Sequence, residues 1–145
     1  MTDRRLVIAT ASFALIGVGI TAYLTYAHYA DGSIVCPTDG CETVQRSSYA
    51  LIGSVPVALL GLGAYLFILA ALFLPRDYAR PTVLATALAG LAFSTYLLVV
   101  QAIEIGALCT WCLASDVVVT AIAALSALAL WTWQAEPGGD GRYGP

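Results

Sequence analysis

The charges of this chain leave four long gaps. No formally charged residue stands between Arg5 and Asp31, Arg46 and Arg76, Arg80 and Glu104, or Asp116 and Glu136. The gaps hold 25, 29, 23 and 19 residues. A helix needs about 20 mainly apolar residues to cross a hydrocarbon core of about 30 Å. The pattern therefore predicts an all-α integral membrane protein, a four-transmembrane-helix bundle forming a single membrane domain. Its spans are expected at about 6–30, 54–74, 82–103 and 109–133, followed by a tail at 134–145.

Composition narrows the function classes. Six arginines, nine acids and no lysine make up 10% of 145 residues, against roughly 25% charged residues in a soluble domain. Disorder and nucleic-acid binding both need abundant charge and are excluded. The first span reads as retained rather than cleaved. Its apolar run exceeds the roughly 7–15 residues of a signal core. The stretch Ala27-His28-Tyr29-Ala30 also puts a histidine where a cleavage site wants a small residue.

Cytoplasmic loops collect arginine and lysine. With the N-terminus inside, the segments 1–5, 75–81 and 135–145 hold Arg4, Arg5, Arg76, Arg80 and Arg142. The outer segments 31–53 and 104–108 hold only Arg46. Both termini are thus expected in the cytoplasm. Pro75 and Pro81 should bracket a short polar hairpin, and Ser54 should cap the second span with Pro56 in its first turn. Residues 42–53 mix polar and apolar side chains. They are expected to form a short interfacial helix in the outer loop, with Val44, Ser48 and Leu51 on one stripe.

The four cysteines, Cys36, Cys41, Cys109 and Cys112, all fall on the outer side of this topology, where disulfides persist. Cys109-Thr110-Trp111-Cys112 is a CxxC opening the last span. Residues three apart share a helix face, so the two sulfurs can bond. The helix N-terminus favours thiolate at Cys109. Cys36 and Cys41 lie in a loop with the turn formers Ser33, Pro37, Asp39 and Gly40. A loop pair facing a helix-anchored pair points to electron relay by thiol–disulfide exchange. The competing reading is a structural membrane subunit stapled by two static disulfides. A four-cysteine zinc site ranks lower, because neither pair has a histidine nearby and the Cys-x4-Cys half is a loose match. No metal is expected.

Asp116 is the one acid inside a predicted span. A carboxylate costs about 2.5–3.5 kcal/mol at mid-membrane on insertion scales, so it should face the bundle interior. It follows Cys112 by four residues and shares its helix face. A proton-donating contact to a bound oxidant and a helix-locking hydrogen bond are both open readings.

The motif order carries a resemblance. Cys-x4-Cys is followed by Glu-Thr-Val-Gln-Arg-Ser-Ser-Tyr-Ala, then Gly-Ser-Val-Pro-Val-Ala-Leu-Leu-Gly, then a CxxC opening the last span. Over roughly 6–134 the chain resembles the bacterial branch of the vitamin K epoxide reductase family. The resemblance implies a four-helix bundle around a quinone of menaquinone, ubiquinone or vitamin K type. It implies a quinone-dependent thiol oxidase supporting disulfide formation outside the cytoplasm, in the bacterial cytoplasmic (inner) membrane. By motif, Cys36 would be attacked by a reduced thioredoxin-like oxidoreductase, Cys41 would exchange with Cys109, and Cys112 would face the quinone. Ser47, Tyr49, Asp116 and Trp111 are the candidate quinone contacts. Two departures stand out. Many bacterial members carry a fused thioredoxin-like domain, whereas here the partner is expected to be separate. Animal members have a tyrosine where this chain has Asp116.

Overall fold

The computed structural model describes residues 2–30 and 34–135. Ser33 and the tail from residue 136 onward lie outside these described residues. Four apolar helices carry the fold: α1 (Thr2–Tyr29), α3 (Val57–Ala71), α4 (Arg76–Val100) and α5 (Thr110–Ala135). A short helix α2 (Gly40–Gln45) and a two-stranded hairpin, β1 (Leu51–Ile52) and β2 (Val55–Pro56), fill the segment between α1 and α3. Helix α5 packs against α1 and α4, and α3 closes the group against α1 and α4. Among the described residues, three helices are long and apolar enough to cross a membrane, at Arg4–Tyr29, Arg76–Ile105 and Thr110–Gln134. Helix α3 has 15 residues, about 22 Å at 1.5 Å per residue. Large apolar side chains such as Phe67, Phe73 and Trp131 point outward, at 54%, 92% and 74% exposure. That inversion suits a lipid solvent and would be costly in water.

Between the helices the seam is made of small and branched residues: Ala14, Ile68, Ala87, Ile122 and Ala123 are buried together. Gly17 is needed here. A Cβ at that position would run into the ring of Tyr65 on α3. The polar residues in the helices mostly answer their own backbone. Thr21, Thr25, Thr86, Thr95 and Thr120 each donate to the carbonyl four residues back, at 2.7–2.8 Å. In lipid this satisfies a hydroxyl that water cannot reach.

Local details depart from the sequence expectations. Ser54 does not cap α3: Pro56 takes that place, and Ser54 turns the hairpin with Gly53. Gly53 has φ +65°, a conformation glycine adopts at no steric cost. The polar segment 75–81 is not a hairpin. Helix α4 already begins at Arg76, and Pro81 sits inside it. A proline at the sixth helical position removes one backbone bond near an end, which the long apolar run behind it outweighs. Residues 42–53 do not form one helix. They divide into the end of α2, a 3-10 turn at Ser48–Ala50 and the start of the hairpin.

Helix α4 ends unusually. After Val100 the chain widens into a π-helical turn, Gln101–Ile105, closed by Gly106 at φ +68°. The amides of Gly106 and Ala107 both reach back to the Gln101 carbonyl. Widened turns of this kind are often found at functional sites. This one sets the height at which the chain re-enters as α5.

Candidate active site

All four cysteines come together at one end of the bundle. Cys36 and Cys41 are disulfide-bonded, with Cα atoms 6.1 Å apart, while Cys109 and Cys112 are free thiols. Cys41 and Cys109 are both fully buried and share a small apolar cluster with Val44. Helix α2 brings Cys41 there by lying close against the segment before α5. A Cβ on Gly40 would strike the carbonyl oxygen of Leu108, so glycine permits the approach.

Cys109 occupies the N-cap of α5. Its carbonyl accepts the amide of Leu113 at 3.0 Å. Its sulfur accepts the amide of Cys112 at 3.3 Å. This is the bond a serine or aspartate side chain makes at an N-cap. A donor aimed at the sulfur favours its thiolate. The backbone of Cys109 is held as well. Its N–H donates to Oε1 of Gln101 at 2.9 Å, and Gln101 is 5% exposed. Gln101 escaped the sequence reading. Its only signal was an amide in an apolar run eight residues before the CxxC.

Cys112 touches this cluster and also opens onto a second space. It lines a cavity of about 350 Å³ between α1, α3, α4 and α5. The walls are mainly apolar, including Leu24, Ile68, Phe93, Leu97 and Val119, with Ser47, Tyr49, Gln101, Ser115 and Asp116 among the polar groups. Tyr65 braces the wall: its hydroxyl lies 3.0 Å from the Ser115 carbonyl, to which it donates, and 2.9 Å from Ser115 Oγ. Of the four candidate contacts, Ser47, Tyr49 and Asp116 line this cavity and Trp111 does not. Successive residues on a helix point about 100° apart. With Cys112 on the cavity, Trp111 is turned toward α1, where its ring meets that of Tyr23 at 5.4 Å. Its indole N–H donates to the carbonyl of Val35 at 2.9 Å.

A cavity of this size, apolar with a few convergent polar groups, fits a flat hydrophobic ligand with polar edges. A quinone ring has that shape and chemistry, and the Cys112 thiol opens onto the same space. The loop cystine sits opposite, nearer solvent, with Cys36 only partly covered. The arrangement thus offers an outward cystine, a buried meeting place for Cys41 and Cys109, and a thiol on an apolar cavity.

A search of the curated proteins finds no match. The sequence profile of the vitamin K epoxide reductase family matches residues 8–127, which takes in the four cysteines and all four apolar helices but for the ends of the first and last. With that match over most of its length, the chain belongs to the vitamin K epoxide reductase family.

Proposed function

We propose that the protein, whose family implies an oxidoreductase of the vitamin K epoxide reductase kind, is a membrane thiol oxidase. It takes electrons from a reduced thioredoxin-like partner and delivers them to a quinone, supporting disulfide formation outside the cytoplasm. The observation that carries this reading is the division of the CxxC. One turn of α5 puts Cys109 beside Cys41 and Cys112 on the apolar cavity.

The relay conserves electrons at each exchange. A partner thiolate attacks Cys36, the Cys36–Cys41 bond breaks, and the partner's second thiol resolves the mixed disulfide. The loop dithiol then attacks an oxidised CxxC: a Cys41–Cys109 bond forms and Cys112 is released as thiol. Cys36 next attacks Cys41, which restores the loop cystine and frees Cys109. A quinone held in the cavity would supply the acceptor for the two electrons and two protons that leave Cys109 and Cys112 as their disulfide re-forms. Ser47 and Tyr49 would orient the quinone, and a carboxyl oxygen of Asp116 would hold one proton at the wall.

In this reading all four apolar helices cross the bacterial cytoplasmic membrane, with both termini cytoplasmic and the cysteines on the extracytoplasmic side. The arginine distribution supports that orientation. The test mixes purified protein with a reduced thioredoxin-like protein and a quinone and follows quinone absorbance. Catalysed loss of the quinone band that is abolished by Cys36→Ser and by Cys112→Ser is expected. An unchanged quinone spectrum would leave a structural subunit with two static bridges.

A further inference from the structure

The loop that carries Cys36 is held by its backbone. Val35, the residue before it, is 79% exposed, so its side chain anchors little. Its two peptide groups are nonetheless both engaged. The Val35 N–H donates to the hydroxyl of Tyr23 on α1 at 3.0 Å. The Val35 carbonyl accepts the indole N–H of Trp111 on α5 at 2.9 Å. The two rings lean on each other, centroids 5.4 Å apart and planes at 57°. On the far side of Cys36 a second tie repeats the pattern: the hydroxyls of Thr38 and Thr110 lie 2.9 Å apart. Cys36 Sγ stands 3.6 Å from Thr38 Oγ1 and 4.0 Å from Thr110 Oγ1. Thr110 and Trp111 are the two residues between the CxxC cysteines. The motif that receives the electrons therefore also grips the loop that brings them.

We infer that Tyr23 and Trp111 form an aromatic clamp on Val35 that keeps Cys36 within reach of Cys41 throughout the relay. They are positioning residues, and the inference rests on the relay proposed above. The step that needs them is resolution of the Cys41–Cys109 bond. Once Cys41 is bound to Cys109, Cys36 is joined to it only through the chain, in a segment bearing Pro37, Asp39 and Gly40. Cys36 thiolate must then attack Cys41 Sγ, so that the Cys36–Cys41 bond forms, the Cys41–Cys109 bond breaks and the electron pair leaves on Cys109. Rates of this kind depend on how often the two sulfurs meet. A loop pinned on both sides of Cys36 keeps them near each other, whereas a released loop would let Cys36 drift toward solvent.

The test uses the full chain in lipid nanodiscs, oxidised so that both pairs are bonded, then mixed with one equivalent of dithiothreitol. Samples are quenched with N-ethylmaleimide, and the Cys41–Cys109 cross-link is followed by peptide mass spectrometry. Trp111→Phe and Tyr23→Phe each keep a ring and remove one hydrogen-bonding group. In the double variant the cross-link should live about tenfold longer, the scale of one or two lost hydrogen bonds. Re-oxidation of the reduced CxxC by added menadione should keep its wild-type rate, because neither residue lines the cavity. If the double variant does not fold, Tyr23→Phe alone carries the test with a smaller lengthening. An unchanged cross-link lifetime would overturn the clamp, as would an equal slowing of the menadione step. Absence of the cross-link in wild type and in Cys112→Ser alike would sink the relay itself.

Discussion

Gln101→Met tests how the fold holds the buried end of the CxxC. Methionine matches glutamine in length and volume but offers no comparable acceptor. In the native protein Oε1 of Gln101 takes the N–H of Cys109 at 2.9 Å, at a residue with no exposed surface. Losing that acceptor strands a buried amide, which costs about 1–3 kcal/mol. A local cost of about 2 kcal/mol raises the open fraction of the segment about 30-fold, at 1.4 kcal/mol per factor of ten. The effect should be local, because Gln101 keeps its backbone bonds to Gly106 and Ala107. Two measurements read it in the reduced protein: deuterium exchange over 107–110, and alkylation of Cys109 followed by peptide mass spectrometry. Both should accelerate by an order of magnitude, while alkylation of Cys112, already open to the cavity, should change little. Wild-type exchange and wild-type Cys109 alkylation in the variant would refute the reasoning, since the Gln101 amide would then not be what holds Cys109 in place.

Two further outcomes are expected. Ser126→Ala should raise the melting temperature in detergent, because Ser126 Oγ is a buried side-chain oxygen with no partner among the described residues, a burden of about 1 kcal/mol or more. A lower midpoint would indicate a polar contact at that seryl oxygen. Asp116→Asn keeps the shape at the cavity wall and removes the proton. It should slow quinone reduction about 100-fold or more, within the range of general acid catalysis, while the Cys41–Cys109 exchange keeps its rate. Wild-type turnover would leave Asp116 as scaffolding.

The long apolar helices were legible because membrane insertion is governed by the absence of charge, which a linear string displays directly. Their ends were less so. Pro81 read as a boundary because proline breaks helices, yet near an end it removes a single backbone bond and α4 runs through it. Ser54 read as a cap because serine is a good one, but Gly53 beside it favours a tight reversal and the pair became a hairpin turn. The cysteines were legible as pairs from spacing. Their surroundings were not, because these depend on which way one helical turn faces. Trp111 illustrates this: an aromatic residue next to a redox cysteine invites a stacking role, and only the rotation of α5 assigns it to the loop instead. Gln101 could not be singled out, since its significance lies entirely in meeting the amide of a residue across a widened turn and a glycine cap.

The first turn of α5 also explains why two residues, rather than one or three, separate its cysteines. Cys109 caps the helix and looks toward α2. Thr110 and Trp111 look toward the loop and α1. Cys112, three positions on, has come round to the cavity. At about 100° per residue the sulfurs of a one-residue spacing would diverge to about 200°, too far apart to bond to each other. A three-residue spacing would bring the second sulfur to about 40° past the first and one full turn deeper. Its amide would no longer be the third of the helix, which is the one that reaches a capping side chain. With two residues between them, Cys109 takes the amide of Cys112 and the thiols are near enough to bond, yet they open onto different surroundings. That is the geometry the proposed relay requires, with an electron pair handed from a buried disulfide exchange to an apolar cavity without moving the helix.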